Sequence, residues 1–149
     1  MQSDIDERVE ELIQRFHLHT NGIPVNLTGL EVIFPVKRRD LHLSGVTGFT
    51  SNRADGTSVI VISTELGDID SRLAYAHEIG HILHGHSGTL RVMQIDEWFH
   101  NHQERDAWKV AAELLIPVEE VAKHHEWSAA SIATLCEVPE WLVRLHLGM

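Results

Sequence analysis

The spacing of apolar residues along this chain changes from helical to strand-like and back. Ile5, Val9, Leu12, Ile13 and Phe16 recur at steps of three and four, with Asp6, Glu7, Arg8, Glu10 and Glu11 between them, as on an amphipathic helix. Ser3 or Asp4 can cap it, and Asn21-Gly22 with Pro24 ends it and turns the chain. A short element around Leu27 to Leu30 leads into three stretches with strand character: Val32 to Lys37, Val46 to Thr50, and Val59-Ile60-Val61-Ile62-Ser63. The last is the strongest, because its first four residues are β-branched and suit a pleated surface. Asn52 to Gly56 carries turn chemistry between the second and third, which predicts a hairpin within a small antiparallel sheet.

The period then returns to helical. Leu73, Ala76, Ile79, Ile82 and Leu83 supply apolar positions, Asp68, Asp70 and Ser71 are N-cap candidates, and Gly85 is a stop. Ser87 to Gln103 has no clean period and reads as a loop or broken helix, anchored by Trp98-Phe99. Glu104 to Leu115 is a helix rich in alanine and leucine, closed by Pro117, which also suits the first turn of a helix reaching Lys123. Ser128 caps Ala129 to Cys136, and Pro139 opens a last helix to Leu147. The expected fold is α+β: a small sheet of about three strands, helices packed on it and a small C-terminal helical pair, all in one domain over residues 1–149.

Composition narrows the setting. With 149 residues, 43% of them hydrophobic and 23% charged, the chain can bury a sizeable core and is not of the disordered class. No apolar run approaches a membrane span, and the acidic start is unlike a signal peptide. The single cysteine, Cys136, cannot form an internal disulfide, reads as a small buried hydrophobe and fits a reducing, cytoplasmic compartment. A net charge of −10 argues against direct nucleic-acid binding, and the only basic run, Lys37-Arg38-Arg39, reads as a solvated loop. Lys123 and Arg144 are too few to make the terminal helices a DNA reader, so their expected role is to complete the domain.

The candidate chemistry lies inside the helical stretch around Ala76. His77-Glu78-Ile79-Gly80-His81 places two imidazoles four residues apart, on one face of a helix, where both can bind one zinc ion. A third protein ligand and a water complete a catalytic site of that kind, and Glu78 can reach the water as general base. His84 is a further turn along, a rise of about 10 Å from His77, too far to join the same ion, so it reads as structural or cleft-lining. His86, His100, His102, His124, His125 and His146 read as surface residues; one of them, or Tyr75, could donate to an oxyanion.

Asp96, Glu97, Glu104, Asp106 and Glu113 are the carboxylates in reach for the third ligand. On a helix starting near Glu104, Ala107, Trp108, Ala111 and Leu115 share its face, while Asp106 and Glu113 point away and should be solvated. Glu104 is then the one carboxylate on the buried face and needs a partner such as a metal. Asp96 and Glu97 stay open, because their segment has no readable period.

Three stretches taken together resemble the ImmA/IrrE-type zinc metallopeptidase family. Arg72-Leu73-Ala74-Tyr75-Ala76-His77-Glu78-Ile79-Gly80-His81 is close to its Arg-x-x-x-Ala-His-Glu-φ-Gly-His pattern. Glu104-Arg105-Asp106-Ala107-Trp108-Lys109-Val110-Ala111-Ala112-Glu113-Leu114-Leu115-Ile116-Pro117 matches its Glu-x-x-Ala-x-x-Phe-Ala-Ala-Glu-Leu-Leu-Met-Pro block. Ser131-Ile132-Ala133, with Val138-Pro139 and Leu145, is similar to its trailing pair of small helices. The resemblance implies a zincin-like fold, zinc held by His77, His81 and Glu104, and Glu78 as catalytic base. It also implies an endopeptidase that cleaves a helix-turn-helix repressor or an antitoxin-like regulator. The alternative is a zinc-containing binding module that sequesters such a regulator without cutting it. Two positions depart from the family: Val110 stands for Phe, and Trp108 stands where relatives often carry Asn or Asp. A carboxylate there orients the first ligand histidine; in this chain that task passes to another group, or the site is looser.

Overall fold

A computed structural model of the protein describes residues 4–20, 22–33, 36–52, 55, 57–85, 91–92, 102–123 and 128–149. Its organising element is the helix α3, Asp68–Leu83, in which every residue from Leu73 to His81 is buried. A helix without a solvated face over that length must be covered on several sides. On one side lie β2 (Val46–Asn52) and β3 (Ser58–Ser63); on another lies α4 (His102–Leu115). Among the described residues no helix is long and apolar enough to cross a membrane.

The sheet order is β1-β3-β2-β4, with β1 at Val36–Leu41 and a two-residue β4 at Arg91–Val92. β3 is central, and Val59, Ile60, Val61, Ile62 and Ser63 are all buried, as their β-branched run requires. β2 and β3 pair antiparallel from Gly48↔Ile62 to Asn52↔Ser58, the expected hairpin. Asp55 lies in its turn and accepts from the Thr57 amide at 3.0 Å. β1 departs from expectation by pairing with β3 in parallel, from Val36↔Ser58 to Leu41↔Ser63, so the sheet is mixed. The link from β1 to β2 therefore passes the end of β3, where Thr64 N donates to Leu41 O at 2.9 Å and Ser63 Oγ to Leu43 O at 2.9 Å. Lys37-Arg38-Arg39 belongs to this edge strand rather than to a loop, and charged edge residues discourage further strand addition.

The strand expected from Val32 begins four residues later. Thr28–Ile33 is instead a short helix, α2, whose start is fixed where Thr28 N donates to Asn26 Oδ1 at 2.9 Å. α1 spans Asp4–Arg15, burying Val9 and Ile13, with Ile5, Leu12 and Phe16 partly buried as the stripe predicts. α3 starts after Gly67 with no side-chain cap, so none of Asp68, Asp70 and Ser71 caps it; Asp68 and Asp70 instead put negative charge at its N-terminal end. It stops as expected at a left-handed Gly85 (φ 72°). The helix after Pro117 is a single turn, α5 at Val118–Val121.

The C-terminal pair is α6 (Ala129–Cys136), capped by Ser128 accepting from Ser131 N at 3.1 Å, and α7 (Glu140–Leu147), preceded by Pro139. α7 packs on α4, which makes the pair a structural part of the core. Arg72 ties this region to α3: its guanidinium donates to Val25 O at 2.7 Å and to the Cys136 and Glu137 carbonyls that end α6. The expected Ser3 cap, the stretch from Ser87 to Asn101 apart from β4, and the Trp98-Phe99 anchor lie outside the described residues.

Candidate metal centre

His77 and His81 leave the same face of α3 one turn apart, both almost completely buried, with their Nε2 atoms 3.2 Å from each other. Glu104 comes to the same point from the first turn of α4. Its Oε2 lies 2.7 Å from His77 Nε2 and its Oε1 lies 3.0 Å from His81 Nε2. The two helices approach this closely because position 80 carries no side chain. A Cβ there would stand 2.4 Å from the Ala107 carbonyl oxygen and 2.8 Å from its Cα. Ala107 is one turn beyond Glu104, so the contact that admits α4 also sets how far Glu104 reaches.

Two imidazole nitrogens and a carboxylate form a donor set suited to a divalent transition metal. Around a tetrahedral ion with bonds of about 2.0–2.2 Å, such donors stand about 3.3 Å apart. The separations of 2.7, 3.0 and 3.2 Å are all shorter than that, the first by about 0.6 Å, so the three side chains are close enough to share an ion once they open around it. Burial alone would push the Glu104 carboxyl up; hydrogen bonds from His77 and His81, and their charge, outweigh it and hold the group well below the usual carboxylate range. Glu104 is thus the ionised form that a metal needs.

A second carboxylate adjoins the histidines. Glu78 is 1% exposed, and its ligating oxygen lies within 4.8 Å of the His77 and His81 nitrogens. Glu104 contacts both nitrogens directly, and Glu78 with His77 and His81 also forms a group that could hold a metal ion. Tyr75, two residues before His77 and so on the opposite side of α3, is fully buried with the Arg38 guanidinium 5.4 Å from its ring centre.

Other expectations fare unevenly. Trp108 stacks on the His77 ring, with centroids 4.1 Å apart and planes 21° from parallel, a contact the sequence reading does not foresee. Its signal is an aromatic residue four positions beyond Glu104, on the same helix face. Glu113 is not solvated: it is half-buried, and burial, then the charge and hydrogen bond of Asp6, then Glu10, push its pKa up to about 7. Asp106 is partly buried as well. The helix is covered on more of its circumference than the wheel suggests, since Val110, Ala112 and Leu114 are buried too. His146 is partly buried rather than fully exposed, and burial, then the neighbouring His19, lower its pKa. Asp96, Glu97, His86, His100, His124, His125 and the His102 side chain lie outside the described residues.

A His-Glu-x-x-His helix lying under a small mixed sheet, with a carboxylate brought in by the next long helix, is the architecture of a metallopeptidase centre. The family model of the IrrE N-terminal-like domain, a peptidase family, matches residues 32–145, and the chain belongs to that family. Its peptidases are metal-dependent, and a metallopeptidase-type function follows from membership. No curated protein matches the chain.

Proposed function

We propose that the chain is a zinc-dependent endopeptidase in which His77, His81 and Glu104 hold the ion and Glu78 is the general base. The observation that supports this best is the meeting of Glu104 with both imidazoles at 2.7 and 3.0 Å, while Glu78 stays close by outside that contact. Zinc in such a site supplies Lewis acidity, polarising a peptide carbonyl and acidifying water. The protein's own part is to keep both Nε2 atoms and the Glu104 carboxylate on one point, and to handle the proton. Glu78 takes the proton from the attacking water and returns it to the leaving amine, and its burial strengthens each of these electrostatic interactions.

The substrate is a helix-turn-helix repressor or an antitoxin-like regulator. Family likeness motivates this, and the net charge of −10 supports it, because an acidic surface attracts a basic DNA-binding protein. The compartment is the reducing cytoplasm, a setting in keeping with the lone, buried Cys136. The test incubates the zinc-loaded protein with the regulator encoded beside its gene and follows the products by mass spectrometry. Wild type should cut, chelator should stop it, and Glu78→Gln should lose about 100-fold or more in rate while keeping the metal. Stable co-elution with an intact regulator would establish sequestration instead of cleavage.

A further inference from the structure

We propose that Trp108 is a positioning residue for the metal centre: its indole, backed by Trp141, fixes the plane in which the His77 imidazole presents Nε2. The inference rests on the metal-site reading above. Rotation of a histidine ring about its Cβ–Cγ bond has broad, roughly two-fold minima, so the torsion itself does not set the ring plane. Packing must do so. The indole lies nearly parallel to the imidazole, 4.1 Å away and 21° off plane, and a turn of the ring would drive its edge into the indole face. The His81 ring meets His77 almost perpendicular, at 4.6 Å and 82°. His77 is therefore bracketed by a stacked ring and an edge-on ring, in the orientation that keeps Nε2 2.7 Å from Glu104.

Trp108 is itself held. It is 1% exposed, and Trp141 packs against it at 4.8 Å with planes 86° apart. Trp141 belongs to α7, so the C-terminal helical pair reaches the ligand histidine through two successive aromatic contacts. This assigns that pair a part in the site beyond closing the core.

The experiment loads wild type, Trp108→Leu, Trp108→Phe and Trp141→Leu with cobalt(II) and with zinc. It reads affinity by chelator competition, the cobalt ligand-field spectrum, and the melting temperature of each metal-free form. Trp108→Leu should lose about 10- to 100-fold in affinity, the range for groups that orient a ligand, with a changed cobalt spectrum. Trp108→Phe should restore most of the affinity and the wild-type spectrum, and Trp141→Leu should show a smaller loss in the same direction. Unchanged affinity and spectrum in Trp108→Leu, with only the melting temperature lowered, would overturn the positioning role. If Trp108→Leu does not fold, the same outcome in Trp141→Leu overturns it. Wild-type protein that takes up neither ion, or Glu104→Ala that binds as tightly as wild type, refutes the metal-site reading instead, and this role with it.

Discussion

Gly80→Ala tests whether the approach of α4 to α3 builds the centre. The added Cβ would stand 2.4 Å from Ala107 O, 2.8 Å from its Cα and 2.9 Å from its carbonyl carbon. All three atoms are backbone, so no rotamer change relieves the clash. Restoring even the shortest tolerable separation of 3.0 Å requires Ala107 O to move by 0.6 Å. Glu104 sits one turn away on the same helix and shifts with it. Metal–ligand distances tolerate only about 0.2 Å of error, so a shift of this size weakens the hold of Glu104 on an ion shared with the histidines. Zinc affinity should fall by about 100-fold, at the upper end of what displaced outer partners cost. Overpacking should lower stability by about 1–3 kcal/mol, less about 1 kcal/mol returned by the better helix propensity of alanine. Chelator competition on the folded variant, checked by circular dichroism, measures the first effect, and denaturant titration the second. Gly29→Ala is the control, since its Cβ would meet nothing within 4 Å. Wild-type zinc affinity in Gly80→Ala would falsify the argument that this contact sets the reach of Glu104.

Glu104→Ala should lose zinc on dialysis against a mild chelator while Asp106→Ala and Glu113→Ala retain it; full retention by Glu104→Ala would show that the ligand lies elsewhere. Glu113, with its pKa raised to about 7 from an ordinary 4.5, stabilises the fold fully below pH 4.5 and loses that contribution as pH rises through 7. Glu113→Gln keeps the neutral form at every pH, so it should match wild type near pH 4 and exceed it near pH 8, by about 1 kcal/mol after discounting for partial exposure; a pH-independent difference between the two refutes this. Random duplex DNA should not bind at physiological salt, because a net charge of −10 leaves little counterion release to gain; micromolar, steeply salt-dependent binding would reverse that reading.

What the sequence discloses divides along the reach of the interactions involved. The run Val59 to Ser63, the Ser128 cap, the stop at Gly85 and the spacing of His77 and His81 are local signals, and each has its expected structural counterpart. The wheel through Glu104 succeeds for the buried Ala107, Trp108, Ala111 and Leu115, because a helix fixes which residues share a face, and fails for Asp106 and Glu113, which are partly buried too. Local preference fails where two local signals compete: Val32 and Ile33 favour a strand, yet the turn at Asn26 starts a helix that carries them. It fails again where contact partners are distant in sequence. The parallel pairing of β1 with β3 depends on how the link after Leu41 crosses the sheet. Burial of Glu113 involves α1, and the group stacked on His77 is an indole rather than a carboxylate.

Three ionisable side chains, His77, Glu78 and His81, occupy the most buried helix of the fold, each no more than 2% exposed. Leaving such groups without compensation inside a protein costs several kcal/mol each, so their placement demands partners. Glu104 meets that demand for the two histidines, and its position in the first turn of α4 adds to the effect, since a helix N-terminus favours negative charge. The same carboxylate, supplied from a surface loop, would have neither the dipole nor the fixed approach that Gly80 and Ala107 allow. A rigid helix pair holds donor atoms to tolerances that a loop does not. The close packing of α3 on α4 is therefore the condition under which charged donors can be buried without displacing one another, and an ion binding only this folded arrangement stabilises it in turn.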